Sequence, residues 1–314
     1  METCDGYPPR PVGRATLGRA VCKGTVRMTR EVTVGVDGSA PALAAVRWAA
    51  VEANERGLLL HLVHAIDPFD AAMASDPESF RHRGVAQQLL DDAAAQAHEV
   101  CPDLTVITDV VSCTAVQALV SDDATGAMIC IGSSGTKPPR PGHRAGIATE
   151  VLIAARCPVV VIRSEPPNHG KVVAEINAEC NAADLLHAAV AEAVVRNLPL
   201  RLVIGEADAA SSLNRDELHA RLERDVNRYR ARFPDLDIVA VSPSWRLRDY
   251  LRRYVGTIAL FVAAPPQLHD VGTVLHPSAS TALEMIDCPV MICGSEPIQA
   301  STTADVAGAA GGAS

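Results

Sequence analysis

The sequence predicts an α/β protein made of two repeated doubly wound domains, each a five-stranded parallel sheet with helices on both faces. Three observations predict it. Short apolar, β-branched runs alternate with stretches of helical periodicity, and that alternation implies parallel strands joined by right-handed crossovers. The alternation then recurs in a second copy, its first strand, helix and strand (32–66) aligning without a gap on 172–206 at an offset of 140 residues. A proline-rich segment, "SEPPNHG" at 164–170, stands between the two copies as a linker.

The elements follow in order. "VTVGV" from Val32 reads as a strand, and "DGS" after it supplies turn and helix-cap chemistry. Leu43, Val46, Ala50 and Ala53 recur at helical spacing, and Gly57 is a suitable stop. "LLLHLVHAI" is a second, largely apolar strand, as expected where helices cover both faces of a sheet. "CPDLTVITDVV", "GAMICIG" and "CPVVVIR" supply the third, fourth and fifth strands. From Val172 the pattern repeats without a gap, pairing Asp37 with Asn177 and Glu52 with Glu192. "FPDLDIVAVSP", "TIALFVA" and "CPVMICG" match the later strands. The expected boundaries are a tail at 1–29, domains at 30–165 and 170–296, and a small, polar, glycine-rich tail at 297–314. Met28 directly precedes the first strand, so it competes with Met1 as the start.

Composition limits the function. A net charge of −9 argues against bulk attraction to nucleic acid or acidic membranes. No apolar run approaches the roughly 18 residues of a membrane span, and residues 1–29 lack the apolar stretch of a secretory signal. The nine cysteines are scattered, with no C-x-x-C pair, which fits reduced thiols in the cytoplasm better than a disulfide framework or a metal site.

"VTVGVDGSAPALAAVRWA", "MICIGSSG" and "CPVVVIR", in this order and on these elements, resemble the universal stress protein family in its tandem, actinobacterial form. The resemblance covers about residues 30–165 and, more weakly, 170–296. It implies the strand order 3-2-1-4-5 and pairing through the fifth strand. That pairing would join the two domains within one chain, and it also admits a homodimer. One branch of the family binds ATP through a first-strand aspartate and the pattern G-x-x-G-x9-G-[ST]. Asp37, after Gly35, stands at the aspartate position, and Gly132 and Gly135 match the first two glycines. The third element departs: Ala145 falls at the expected glycine, Gly146 follows one residue later, and Ile147 stands where a hydroxyl belongs. Amides at the helix start near Gly146 and the cations Lys137, Arg140 and Arg144 favour phosphate, while Pro138, Pro139 and Pro141 each lack an amide donor. The segment reads as a phosphate loop in partial decay, with the site at Gly35, Asp37, Gly132, Gly135, Gly146 and Ile147. In the second domain Asn177, Ala264 and Gln267 occupy the aspartate and glycine positions, so nucleotide binding is not expected there.

Other chemistries lack their signatures. Neither a P-loop nor a dinucleotide G-x-G-x-x-G occurs, and "GSSG" has the wrong spacing for a nucleophile elbow. His61 and His64 are three apart on a strand, so they face opposite sides and share no metal. The loop from Gly132 to Thr149 contains no carboxylate to activate water. In "RLRDYLRRYVG", Leu247, Tyr250, Leu251 and Tyr254 make an apolar helical stripe with the arginines off it, a solvated face and not a nucleic-acid patch. The expectation is a stress-response module that binds one adenine nucleotide, ATP, in the first domain without fast catalysis, with Mg2+ as counter-ion left open. The alternative is a nucleotide-free interaction module in which both domains serve pairing and partner docking.

Overall fold

In the computed structural model, the described residues are 31–68, 76–120, 126–133, 146–164, 169–176, 182–204, 215–241, 244–264, 279, 282–283 and 285–294. The first half runs β1 (Glu31–Gly35), α1 (Ala40–Glu55), β2 (Leu59–Ala65), α2 (Asp76–Val100), β3 (Val106–Val111), α3 (Ala115–Leu119), β4 (Met128–Gly132), α4 (Ile147–Ala154) and β5 (Val159–Ile162). The second runs β6 (Lys171–Ile176), α5 (Ala182–Arg196), β7 (Leu200–Ile204), α6 (Arg215–Arg232), β8 (Ile238–Ala240), α7 (Leu247–Tyr254), β9 (Ile258–Ala263) and β10 (Val290–Ile292).

Local chemistry sets the elements. Ser39 caps α1 by accepting from the Ala42 amide, and Pro41 follows in the first turn, where a missing N–H costs nothing. The end of α1 is a Schellman motif. Leu58 N–H reaches the Ala53 carbonyl, Gly57 N–H reaches that of Asn54, and Gly57 takes a φ of 64°. The second half repeats this ending 140 residues on. Leu198 bonds Ala193, Asn197 bonds Val194, and Asn197 takes the left-handed conformation at φ 50°. Asparagine tolerates that conformation better than other side chains do, so the stop survives without glycine.

The strands form one sheet in the order β3-β2-β1-β4-β5-β10-β9-β6-β7-β8. Every neighbouring pair is parallel except β5 and β10, which run antiparallel where the halves meet. Both sides of the sheet are packed. One apolar cluster gathers α1, α2, α5 and α6 over Val32, Val34, Leu60, Val160, Leu202 and Met291. The other gathers α3, α4 and α7 over Ile129, Val161, Phe261 and Val290. Each cluster draws residues from both halves, so the core is continuous through the β5–β10 seam.

Two buried carboxylates and two partly buried guanidiniums lie beside that seam. Arg56 binds Glu52 on its own helix and Glu192 on α5; Arg196 binds Glu192 on its own helix and Glu52 on α1. The Glu52 and Glu192 side chains are each only 2% exposed. Burial pushes Glu52 up, but the Arg196 and Arg56 guanidiniums outweigh it and hold the carboxyl below its ordinary value. Glu192 is pushed up by burial and by the charge of Glu52. The two carboxylates titrate as a pair, and each accepts from both guanidiniums. Arg196 also lies over the Trp48 ring, 4.9 Å from its centre.

Candidate functional site

The strand order reverses between β1 and β4, the crevice where open α/β sheets take ligands. Gly35 ends β1 with its Cα against Leu119 of α3, where an added Cβ would meet the leucine at 3.4 Å. Asp37 follows, exposed, and its Oδ1 accepts the Ser39 amide at 2.9 Å. That bond closes an Asx turn, in which Gly38 takes a φ of 77°. A Cβ at Gly38 would also lie 2.8 Å from Leu89 of α2. The aspartate is thus presented by a stiff turn at the mouth of the crevice.

Gly132 closes β4 on the other side of the crevice. A Cβ there would lie 2.3 Å from the Ala42 nitrogen and 2.4 Å from the Pro41 carbonyl carbon. The missing side chain is required by the packing of β4 on the first turn of α1, before any ligand is considered. Its structural counterpart Ala264 is 2% exposed and carries a Cβ.

Gly146 is the N-cap of α4 in extended conformation, without a side-chain cap bond, and Ile147 opens the helix at 45% exposure. A Cβ on Gly146 would meet nothing within 4 Å, so the fold alone does not demand glycine there. Gly135, the three loop cations and the three prolines lie outside the described residues, as do Asn177 and Gln267. The structure therefore brings Gly35, Asp37 and Gly132 together around the start of α1, and it places Gly146 and Ile147 at the start of α4.

Away from the crevice, His61 bridges three strands. Its Nδ1 lies 3.1 Å from Glu31 Oε1 and its Nε2 lies 2.9 Å from Asp109 Oδ2. Burial alone would lower the His61 pKa, but Glu31 and then Asp109 raise it. His64 points to the opposite face, where its Nδ1 lies 2.7 Å from the Val36 carbonyl oxygen. Among the described residues no cluster of His, Cys, Asp and Glu could hold a metal ion. On α7 the stripe is as spaced: Leu247, Tyr250 and Leu251 are buried while Arg248, Arg252 and Arg253 are exposed. The Lys171 ammonium lies 4.0 Å from the centre of the Tyr254 ring. The charge ring escaped the sequence reading, although its signal was present as Glu-x-x-x-Arg at 52–56 and again at 192–196.

Residues 28–163 match the family model described as the universal stress protein family. Universal stress protein Rv2028c of Mycobacterium tuberculosis is 26% identical over 269 residues, covering 84% of this chain and 96% of that one. Universal stress protein Rv3134c of the same organism is 27% identical over 259 residues, covering 81% and 95%. Among solved structures, a universal stress protein from Archaeoglobus fulgidus superposes with a TM-score of 0.67 at 12% identity, covering 85% of this chain and 96% of that one. The likeness in three dimensions is one of fold. No helix among the described residues is long and apolar enough to cross a membrane.

Proposed function

We propose, for a chain that belongs to the universal stress protein family in its tandem form, that the first half binds one adenine nucleotide, ATP, as a cytoplasmic stress-response module without fast turnover. One observation carries the reading. Asp37 presents an exposed carboxylate at the strand-order reversal, held by its turn just before α1, the helix whose first turn packs on β4 at Gly132. A carboxylate there can accept from the hydroxyls of a ribose. Its Oδ2 has no bond to another described residue, so the turn leaves it available. The phosphates would lie toward Gly135 and the start of α4 at Gly146, whose first amides point out of the helix. These residues orient and bind. The loop from Gly132 to Thr149 contains no carboxylate that could take a proton from water, which supports binding over hydrolysis.

The second half, 170–296, is proposed to have lost this chemistry through Asn177 and Ala264 while keeping its strands. A second reading, a nucleotide-free module for pairing and docking, is favoured by the shared core and the buried charge ring, which make the seam as elaborate as the crevice. Mass spectrometry of ligand released from the purified, denatured chain, followed by calorimetry with ATP, separates the two. Recovered ATP or AMP with measurable affinity supports the first. An empty protein that takes up no nucleotide leaves only the second.

A further inference from the structure

The seam between the halves is close to symmetric in backbone and asymmetric in side chains. "CPVVVIR" and "CPVMICG" place Val160 opposite Met291 in sequence terms and Arg163 opposite Gly294. In the antiparallel β5–β10 pair, Val160 and Met291 are direct partners, so the local two-fold axis passes between equivalent positions. Both are 0% exposed and share one apolar cluster. An axial position is where a like pair would set a residue against itself. Two valines would leave a gap, and two methionines would overfill the same space.

The flanks tell the same story independently. Gly294 packs against the first half so closely that an added Cβ would stand 2.0 Å from the Arg156 carbonyl oxygen and 2.8 Å from the Cys157 carbonyl carbon. On the opposite flank, Arg163 is accommodated, its guanidinium donating to the Leu283 carbonyl while the Ser164 hydroxyl donates to that of Asp287. Two first halves meeting in this register would bring Arg163 to the place Gly294 now fills, on both flanks.

We propose that this seam is selective for unlike halves: the first half's fifth-strand edge fits the second half's edge and rejects a second copy of itself, with Val160/Met291 and Gly294 as the discriminating residues. A first-half pair has two valines on the axis and no glycine on either flank. A second-half pair has its glycines but two methionines on the axis. Only the unlike pair satisfies axis and flank together. The buried charge ring adds affinity without discrimination, because each half contributes one glutamate and one arginine at equivalent positions.

The test is a size-exchange cycle in the full chain, read by thermal melting. Val160→Met and Met291→Val should each lower the Tm by about 2–4 °C. The double variant V160M/M291V restores one large and one small residue across the axis and should recover most of the parental Tm. Gly294→Ala should lower the Tm by at least as much as either single exchange, whereas Arg163→Gly, which removes a side chain from the tolerant flank, should cost less. Additive losses in the double variant would overturn the proposal. So would a Gly294→Ala chain that melts with the parent, or an Arg163→Gly loss as large as that of Gly294→Ala.

Discussion

Removing one arginine from the buried ring should cost far more than removing all four charges. In Arg56→Met, Glu52 and Glu192 stay 2% exposed with one guanidinium left for two carboxylates. Breaking a buried pair on one side typically costs about 3–5 kcal/mol, because a desolvated charge is left without compensation. For a chain of this length that corresponds to roughly 6–10 °C in Tm. Arg196→Met should cost more, since it also removes the cation held over Trp48, worth about 0.5–2 kcal/mol. The quadruple variant Glu52→Leu, Arg56→Met, Glu192→Leu, Arg196→Met replaces the ring by apolar side chains and should melt within about 1 kcal/mol of the parent or above it. Urea denaturation followed by far-UV circular dichroism gives the four stabilities. If Arg56→Met costs under about 1 kcal/mol, in the range of an exposed ion pair, the ring is effectively solvated and the reasoning fails.

Asp37→Ala should weaken ATP binding roughly tenfold to a hundredfold while leaving the Tm nearly unchanged, as calorimetry and a melt would report; equal affinity in the variant would place the ligand elsewhere. Gly132→Ala should destabilise the fold by about 1–3 kcal/mol even without nucleotide, because its Cβ runs into the backbone of Pro41 and Ala42. His61 gives a pH dependence: its pKa is raised on folding, so its contribution is complete below about pH 6.5 and is lost as pH rises through the folded value. Glu31, Asp109 and the buried Thr33 are the polar groups around it, and His61→Gln should flatten the stability profile above pH 6.5. A profile unchanged by that substitution would show that other groups set it.

Much of this fold was legible because strands and helices write different periods. "VTVGV" and "LLLHLVHAI" could be read as buried strands, and the ends of α1 followed from Ser39 and Gly57. The offset of 140 even aligned Glu52 with Glu192 before anything showed that both bind Arg56 and Arg196. What the pattern could not convey was proximity. Nothing in a one-dimensional reading distinguishes Glu52 as a charge on the solvent side of a helix from Glu52 as part of a buried ring, because burial depends on a second helix 140 residues away. The crevice was half legible for a related reason. Asp37 and Gly132 could be located at strand ends, but glycine at 132 was assigned to phosphate, when contact with the α1 backbone already requires it.

The β5–β10 seam also imposes a schedule on synthesis. Val160 leaves the ribosome 131 residues before its partner Met291. At about 5–20 residues per second, the first half waits roughly 7–26 s with its edge strand uncovered. An apolar edge exposed that long would ordinarily seek the nearest strand, and on a polysome the nearest candidate is the same edge of a neighbouring nascent chain. An axis that needs one large and one small residue, and a flank that needs glycine, make that early encounter a poor fit. The last described strand of the chain is then the piece that ends the wait.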